Sequence, residues 1–177
     1  MTDYIWVIDK QFDWEMGHRV WSQQLDHPEL SISVDCCCKH LHGHSYSAKV
    51  LLGSNELDQS SMVTDFKNLN FVKKFVDGCL DHKFMIDIND PHFEQITGCP
   101  HSVAMYATNF TNLGEVFKPS DLILKSHIES FVLVNFVPTS ENICKYLALY
   151  VQEKMPMINV VGVELWETKK SHCKYIL

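Results

Sequence analysis

Three consecutive cysteines, Cys36, Cys37 and Cys38, run into an alternation of histidines at His40, His42 and His44. Imidazole is the commonest metal ligand and titrates near neutrality, so such a cluster points to metal or proton chemistry. On a strand, residues i and i+2 leave the same face, which lets His42 and His44 reach one ion. Gly43 between them leaves the backbone room on the other face. Catalytic zinc takes three protein ligands and keeps an open position. A third ligand must therefore come from elsewhere, and His18, at the end of the first predicted strand, is the natural candidate. His40 is set aside, because i and i+4 on a strand lie roughly 13 Å apart. Cys36 and Cys37 are expected to be small buried thiols, since an all-imidazole site needs neither.

Two further places could carry chemistry. Asp81-His82 follows a predicted helix; an aspartate can orient an imidazole and stabilise its charged form, making a proton-transfer unit. By itself the dipeptide reads more simply as a helix C-terminus with a favourable histidine. Glu167 falls on the strand face of Val161, Val163 and Leu165, where a carboxylate needs a cation or a ligand with adjacent N–H donors. A strand-end glutamate at the solvent edge is an equal reading on pattern alone.

The elements that must position these residues fit one domain, residues 1–177. The chain has 177 residues, is 46% hydrophobic and carries a net charge of −7. That sign is wrong for a protein living on the phosphate backbone of nucleic acid. No run approaches the roughly 18 apolar residues of a membrane span. Met1-Thr2-Asp3-Tyr4 lacks the features of a secretion signal, which predicts a cytoplasmic protein whose seven cysteines are thiols. Strands are predicted over 4–14, 42–52, 131–137 and 159–168, with a short one near Tyr175. Tyr46, Ala48, Val50 and Leu52 share one face of the second. Helical spacing covers 65–80, through Phe66, Leu69, Val72, Phe75, Val76, Cys79 and Leu80. A second helix begins at Thr139 or Ser140 with Glu141 in its first turn, and runs to about Met155. Residues 23–35 read as a loop, and 89–136 as an extended insert with no motif. This order, outside βαβ alternation, predicts an α+β fold with an antiparallel sheet whose open edges invite oligomerisation.

Six collinear motifs resemble the 6-pyruvoyl tetrahydropterin synthase and 6-carboxytetrahydropterin synthase family. They are Phe12 through His18-Arg19; Cys38-x-x-x-His42-Gly43-His44-x-Tyr46; Met62-Val63-x-Asp65-Phe66-x-x-Leu69; Leu80-Asp81-His82; Pro138-Thr139-x-Glu141-Asn142; and Glu167-Thr168. The resemblance implies a tunnelling fold, an antiparallel sheet with two helices on one face. Sheets of several subunits would join into a barrel, in a homo-oligomer built on trimers, expected as a hexamer. It implies Zn2+ on His18, His42 and His44, and catalysis by Cys38 with Asp81 and His82. Glu167 would anchor the pterin ring, with Glu141 and Thr139 as further substrate-binding residues. The three residues between Cys38 and His42 match the carboxy-producing branch, which leads towards 7-deazaguanine nucleosides such as queuosine.

The reaction implied is conversion of 7,8-dihydroneopterin triphosphate to 6-carboxytetrahydropterin, acetaldehyde and triphosphate. Lys39, His40 and Lys83 are the cations nearest the motifs for that triphosphate. The alternatives are 6-pyruvoyl tetrahydropterin or 6-hydroxymethyl-dihydropterin formation on the same scaffold, or a non-catalytic zinc-binding protein that kept the fold.

Overall fold

The computed structural model describes residues 4–23, 27–31, 33, 35–120 and 122–177. The predicted loop at 23–35 lies partly outside them. The chain forms two compact units, each assembled from separated segments: 1–14, 45–78 and 140–177 in one, 15–44 and 79–139 in the other.

Two long strands, β1 (Trp6–His18) and β2 (His42–Ser54), contribute to both units. Period-two alternation decides what they bury. Phe12, Trp14, Met16 and His18 are the buried residues of β1. On β2, His42 and His44 are half-buried in phase with the fully buried Tyr46, Ala48, Val50 and Leu52. The histidines therefore continue the inward stripe of each strand.

In the first unit the strand order is β1-β2-β6-β7, with β6 spanning Asn159–Thr168 and β7 spanning Ser171–Ile176. β6 is antiparallel to both β2 and β7. The register slips between Leu51 and Leu52, opposite Val160 to Gly162. Gly162 has φ +156°, and a Cβ there would run into the Tyr175 carbonyl. This bulge corrects the expected stripe: Val160, Val163 and Leu165 are buried, whereas Val161 is only half-buried. The predicted helix over 65–80 is three successive pieces: a 3-10 turn (Phe66–Leu69), α1 (Asn70–Phe75) and a π turn (Val76–Leu80). The Asp65 carboxylate caps the start by accepting from the Lys67 N–H at 2.8 Å. Leu69, Val72, Phe75, Val76 and Leu80 are buried as expected, but Phe66 is exposed.

The second unit holds the ends of β1 and β2 that carry the histidines, in the order β4-β5-β3-β1-β2. β3 (Lys83–Asp87) is a strand that the sequence pattern does not announce. Its Met85, Ile86 and Asp87 are all buried, and a short strand buried on both faces shows no alternation. It pairs parallel to β1 (Met16 opposite Lys83) and parallel to β5 (Phe131–Val134), so the predominantly antiparallel pattern has a parallel component. The expected insert, 89–136, folds as α2 (Phe93–Thr97), α3 (His101–Ala104), β4 (Thr111–Asn112), α4 (Leu113–Val116) and α5 (Leu122–Glu129), followed by β5. Its core includes Ile88, Phe93, Cys99, Leu113, Ile128 and Leu133. Within the first unit, α6 (Ser140–Lys154) is the long helix predicted from Thr139-Ser140, and buries Ile143, Cys144, Leu147, Ala148 and Val151. Among the described residues no helix is long and apolar enough to cross a membrane.

Candidate metal centre

β1 ends on His18 and β2 begins on His42, and the close approach of these ends is written in two glycines. A Cβ at Gly43 would sit 3.1 Å from the Met16 carbonyl oxygen, and one at Gly17 would strike the Phe84 ring. With both absent, the rings of His18, His42 and His44 gather at centroid separations of 4.5, 5.2 and 5.0 Å. One ring nitrogen from each lies within 4.8 Å of the others, which places the three to hold a metal ion.

The chemistry of these donors fits zinc. A backbone carbonyl only accepts, so an imidazole nitrogen facing one must carry the proton. His18 Nδ1 donates to the Pro138 carbonyl at 2.7 Å, and His42 Nδ1 to the His40 carbonyl at 2.7 Å. Both rings are thus fixed as the tautomer whose Nε2 has the ligating lone pair, the usual outer-shell arrangement of metal-bound histidine. His40 takes part through its backbone alone. Its side chain is exposed and precedes the strand, rather than sharing its alternation.

Cys38 lies in a single 3-10 turn, Cys37–Lys39, and is exposed. Its carbonyl accepts from the Val20 N–H at 2.8 Å, tying the turn to the chain two residues beyond His18. Cys37 is exposed and Cys36 half-buried, which corrects the expectation that both are buried thiols. A one-turn helix on a loop has no inward face to bury them.

Asp81 and His82 do form a pair. The His82 Nδ1 is 3.0 Å from one Asp81 carboxylate oxygen, and the other oxygen accepts from the Glu15 N–H at 3.0 Å. That backbone N–H chiefly holds the Asp81 carboxyl below the usual carboxylate range, against the opposing effect of burial, with His82 adding to the lowering. His82 adopts φ 57°, and its N–H donates to the Glu15 carbonyl at 2.8 Å. The dipeptide is therefore both readings at once: a helix terminus, and an oriented imidazole beside an ionised carboxylate, with its ring largely exposed. Lys83, one of the cations considered for the triphosphate, instead donates to the Glu129 carbonyl at 2.8 Å.

In the other unit, Glu167 is half-buried on β6, with its carboxylate close enough to the Tyr46 phenol to act on it electrostatically. Burial first, and the Glu167 charge second, push the Tyr46 phenol far above its ordinary value, so it stays protonated. Tyr46 also stacks on Trp14, with centroids 5.5 Å apart and planes at 11°. Glu141 is exposed in the first turn of α6, and Thr139 occupies the position just before it. The carbonyls of Pro138 and His40 and the Glu15 backbone escaped the sequence reading. Main-chain groups have no residue signature, although Pro138 stands inside a motif.

A family model described as 6-pyruvoyl tetrahydropterin synthase matches residues 7–176. A 6-carboxy-5,6,7,8-tetrahydropterin synthase of Aquifex aeolicus is 30% identical, over 96% of this chain and 97% of that one. Among solved structures, an uncharacterised protein of Wolinella succinogenes superposes with a TM-score of 0.80 at 41% identity, covering 97% of both chains. The 6-pyruvoyl tetrahydropterin synthase of Caenorhabditis elegans does so at 0.57 and 21% identity, over 97% of this chain and 94% of that one, which speaks for a shared tunnelling fold. With the match running nearly end to end, the chain belongs to the 6-pyruvoyl tetrahydropterin synthase family.

Proposed function

We propose that this chain is a zinc-dependent 6-carboxy-5,6,7,8-tetrahydropterin synthase, a carbon–carbon lyase. Its substrate is 7,8-dihydroneopterin triphosphate, taken with water to 6-carboxytetrahydropterin, acetaldehyde and triphosphate. The observation that carries this reading is the three-histidine cluster, with two tautomers fixed for ligation, in a chain whose near full-length relative bears that name. The protein works in the cytoplasm as a trimer-based homo-oligomer, expected as a hexamer, on the route to 7-deazaguanine nucleosides.

His18, His42 and His44 would hold the zinc, which supplies a Lewis acid for the substrate's side-chain oxygens. Cys38 as thiolate takes a proton from the substrate side chain. Asp81 keeps the His82 ring oriented and stabilises its protonated form, so His82 moves the second proton. Glu167 accepts from the pterin ring N–H and exocyclic amine. Thr139 and Glu141 complete substrate binding.

Incubation of the zinc-loaded protein with 7,8-dihydroneopterin triphosphate should yield acetaldehyde and the carboxypterin in equal amounts. A pyruvoyl product without acetaldehyde, or 6-hydroxymethyl-dihydropterin, would move the chain to a sister reaction. Zinc retention without turnover would make it a binding protein.

The Glu167 role is checked separately. Glu167→Gln keeps the shape and removes a charge from beside the buried Tyr46 phenol, so the melting temperature should hardly change. It also turns an N–H towards the pterin's own donors, and binding should weaken by about 2–3 kcal/mol. Calorimetric titration beside thermal melting reads both. Unchanged pterin affinity with a large fall in melting temperature would assign Glu167 to the structure alone.

A further inference from the structure

His18 is the last residue of β1, so the sheet's hydrogen bonds hold its backbone on one side only. Beyond it, three successive residues are each fastened. Arg19 Nε lies 3.1 Å from Asp90 Oδ2, in an ion pair with the Asp90 side chain fully buried and the Arg19 side chain 13% exposed. The Val20 N–H donates to the Cys38 carbonyl, and Trp21 Nε1–H donates to Asp87 Oδ2 at 2.9 Å. Both acids are themselves fixed. Asp87 Oδ1 accepts from the Asn89 backbone and side-chain amides at 2.9 and 3.0 Å, and Asp90 Oδ1 accepts from the His92 N–H at 2.8 Å.

The placement of these anchors in the chain is informative. Asp87 closes β3, and Asp90 opens the insert that the sequence leaves without a motif. At the insert's far end, shortly after β5, Pro138 receives the His18 Nδ1–H. Asp90 near the start of the insert and Pro138 just beyond its end thus take hold of His18 and its neighbour, one through the following residue and one through the ring. A charged pair removed from water costs desolvation that a hydrophobic pair would avoid, so holding Arg19 in place, rather than stability, is the property that distinguishes it.

We propose that Asp90 and Asp87, through Arg19 and Trp21, are positioning residues that aim the His18 ring at the metal. Asp90 is the insert's contribution to this brace, beside Asp87 and Pro138 that flank it. The inference rests on the zinc reading above, and its test is read in metal affinity rather than turnover.

The purified protein is titrated with Zn2+ against a chromophoric chelator, and the Co2+ form is examined for its d–d spectrum. Asp90→Asn removes the charge with little change of shape, and should weaken zinc binding several-fold, less than the roughly 10- to 100-fold loss for a partner bonded directly to a ligand. Because it strands the Arg19 guanidinium, two other variants guard against simple unfolding. Arg19→Met with Asp90→Leu removes both charges together, and Trp21→Phe removes only the indole N–H. Each should keep a cooperative melt, bind zinc at least several-fold more weakly and shift the Co2+ spectrum. Zinc affinity and Co2+ spectrum equal to wild type in these two variants, whatever their melting temperatures, would overturn the proposal and leave the pairs as structural ties. A wild-type protein that takes up no zinc overturns the metal reading itself, and this inference with it.

Discussion

His42→Ala is expected to lose bound zinc and turnover together while remaining folded. The side chain is half-buried at the start of β2, and truncation leaves the strand's backbone pairing intact. Removing one of three ligands should exceed the roughly 10- to 100-fold effect of an outer-shell loss in metal affinity. His18→Ala and His44→Ala should behave alike. His40→Ala is the control: only the His40 carbonyl serves the site, by accepting from His42 Nδ1, and alanine keeps that carbonyl. A strong chelator should silence the wild type, and added Zn2+ should restore it. Elemental analysis after gel filtration checks occupancy beside the acetaldehyde assay. A full complement of zinc in the His42 variant would sink the three-histidine assignment.

The parts of this site legible in the sequence are those built on simple periodicity. His42 and His44 share a face because they are two residues apart on a strand. His18 is buried because it keeps phase with Phe12, Trp14 and Met16. The same rule fails at Val161, where the bulge at Gly162 shifts the phase, since a bulge is a property of two paired strands and not of one. It is silent over β3, whose burial on both faces erases alternation. The Asp81-His82 pair is half legible: the dipeptide is visible, but the Glu15 N–H that keeps the carboxylate ionised comes from a residue 66 positions away. The tautomer-fixing carbonyls are not legible in side-chain pattern at all, because any residue could offer them. Glu167 shows the opposite case. The pattern asks for a ligand's donors or a cation beside its carboxylate, and the fold sets it beside the buried Tyr46 phenol, a neighbour 121 positions away that no strand pattern announces.

Cys38→Ala is expected to keep zinc and lose turnover by about 10²- to 10⁴-fold, the range for removing a positioned proton-transfer group. The turn keeps three main-chain ties after the change. The Lys39 N–H donates to the Cys36 carbonyl at 3.0 Å, the His40 N–H to the Cys37 carbonyl at 2.9 Å, and the Val20 N–H to the Cys38 carbonyl at 2.8 Å. None of these uses sulfur, so melting temperature and zinc content should stay near wild type. Exposure does not choose between Cys37 and Cys38, since both are open to solvent. The proposed base is Cys38 on its spacing, with three residues between it and His42 as in the family motif. Cys37→Ala should therefore retain activity within a few-fold, and Cys36→Ala likewise. The three variants are compared in the acetaldehyde assay with zinc measured on the same samples. An inactive Cys37 variant beside an active Cys38 variant would move the base one residue along the turn. Loss of zinc in the Cys38 variant would instead make the thiol a fourth metal ligand, and the proton acceptor would have to be sought at His82.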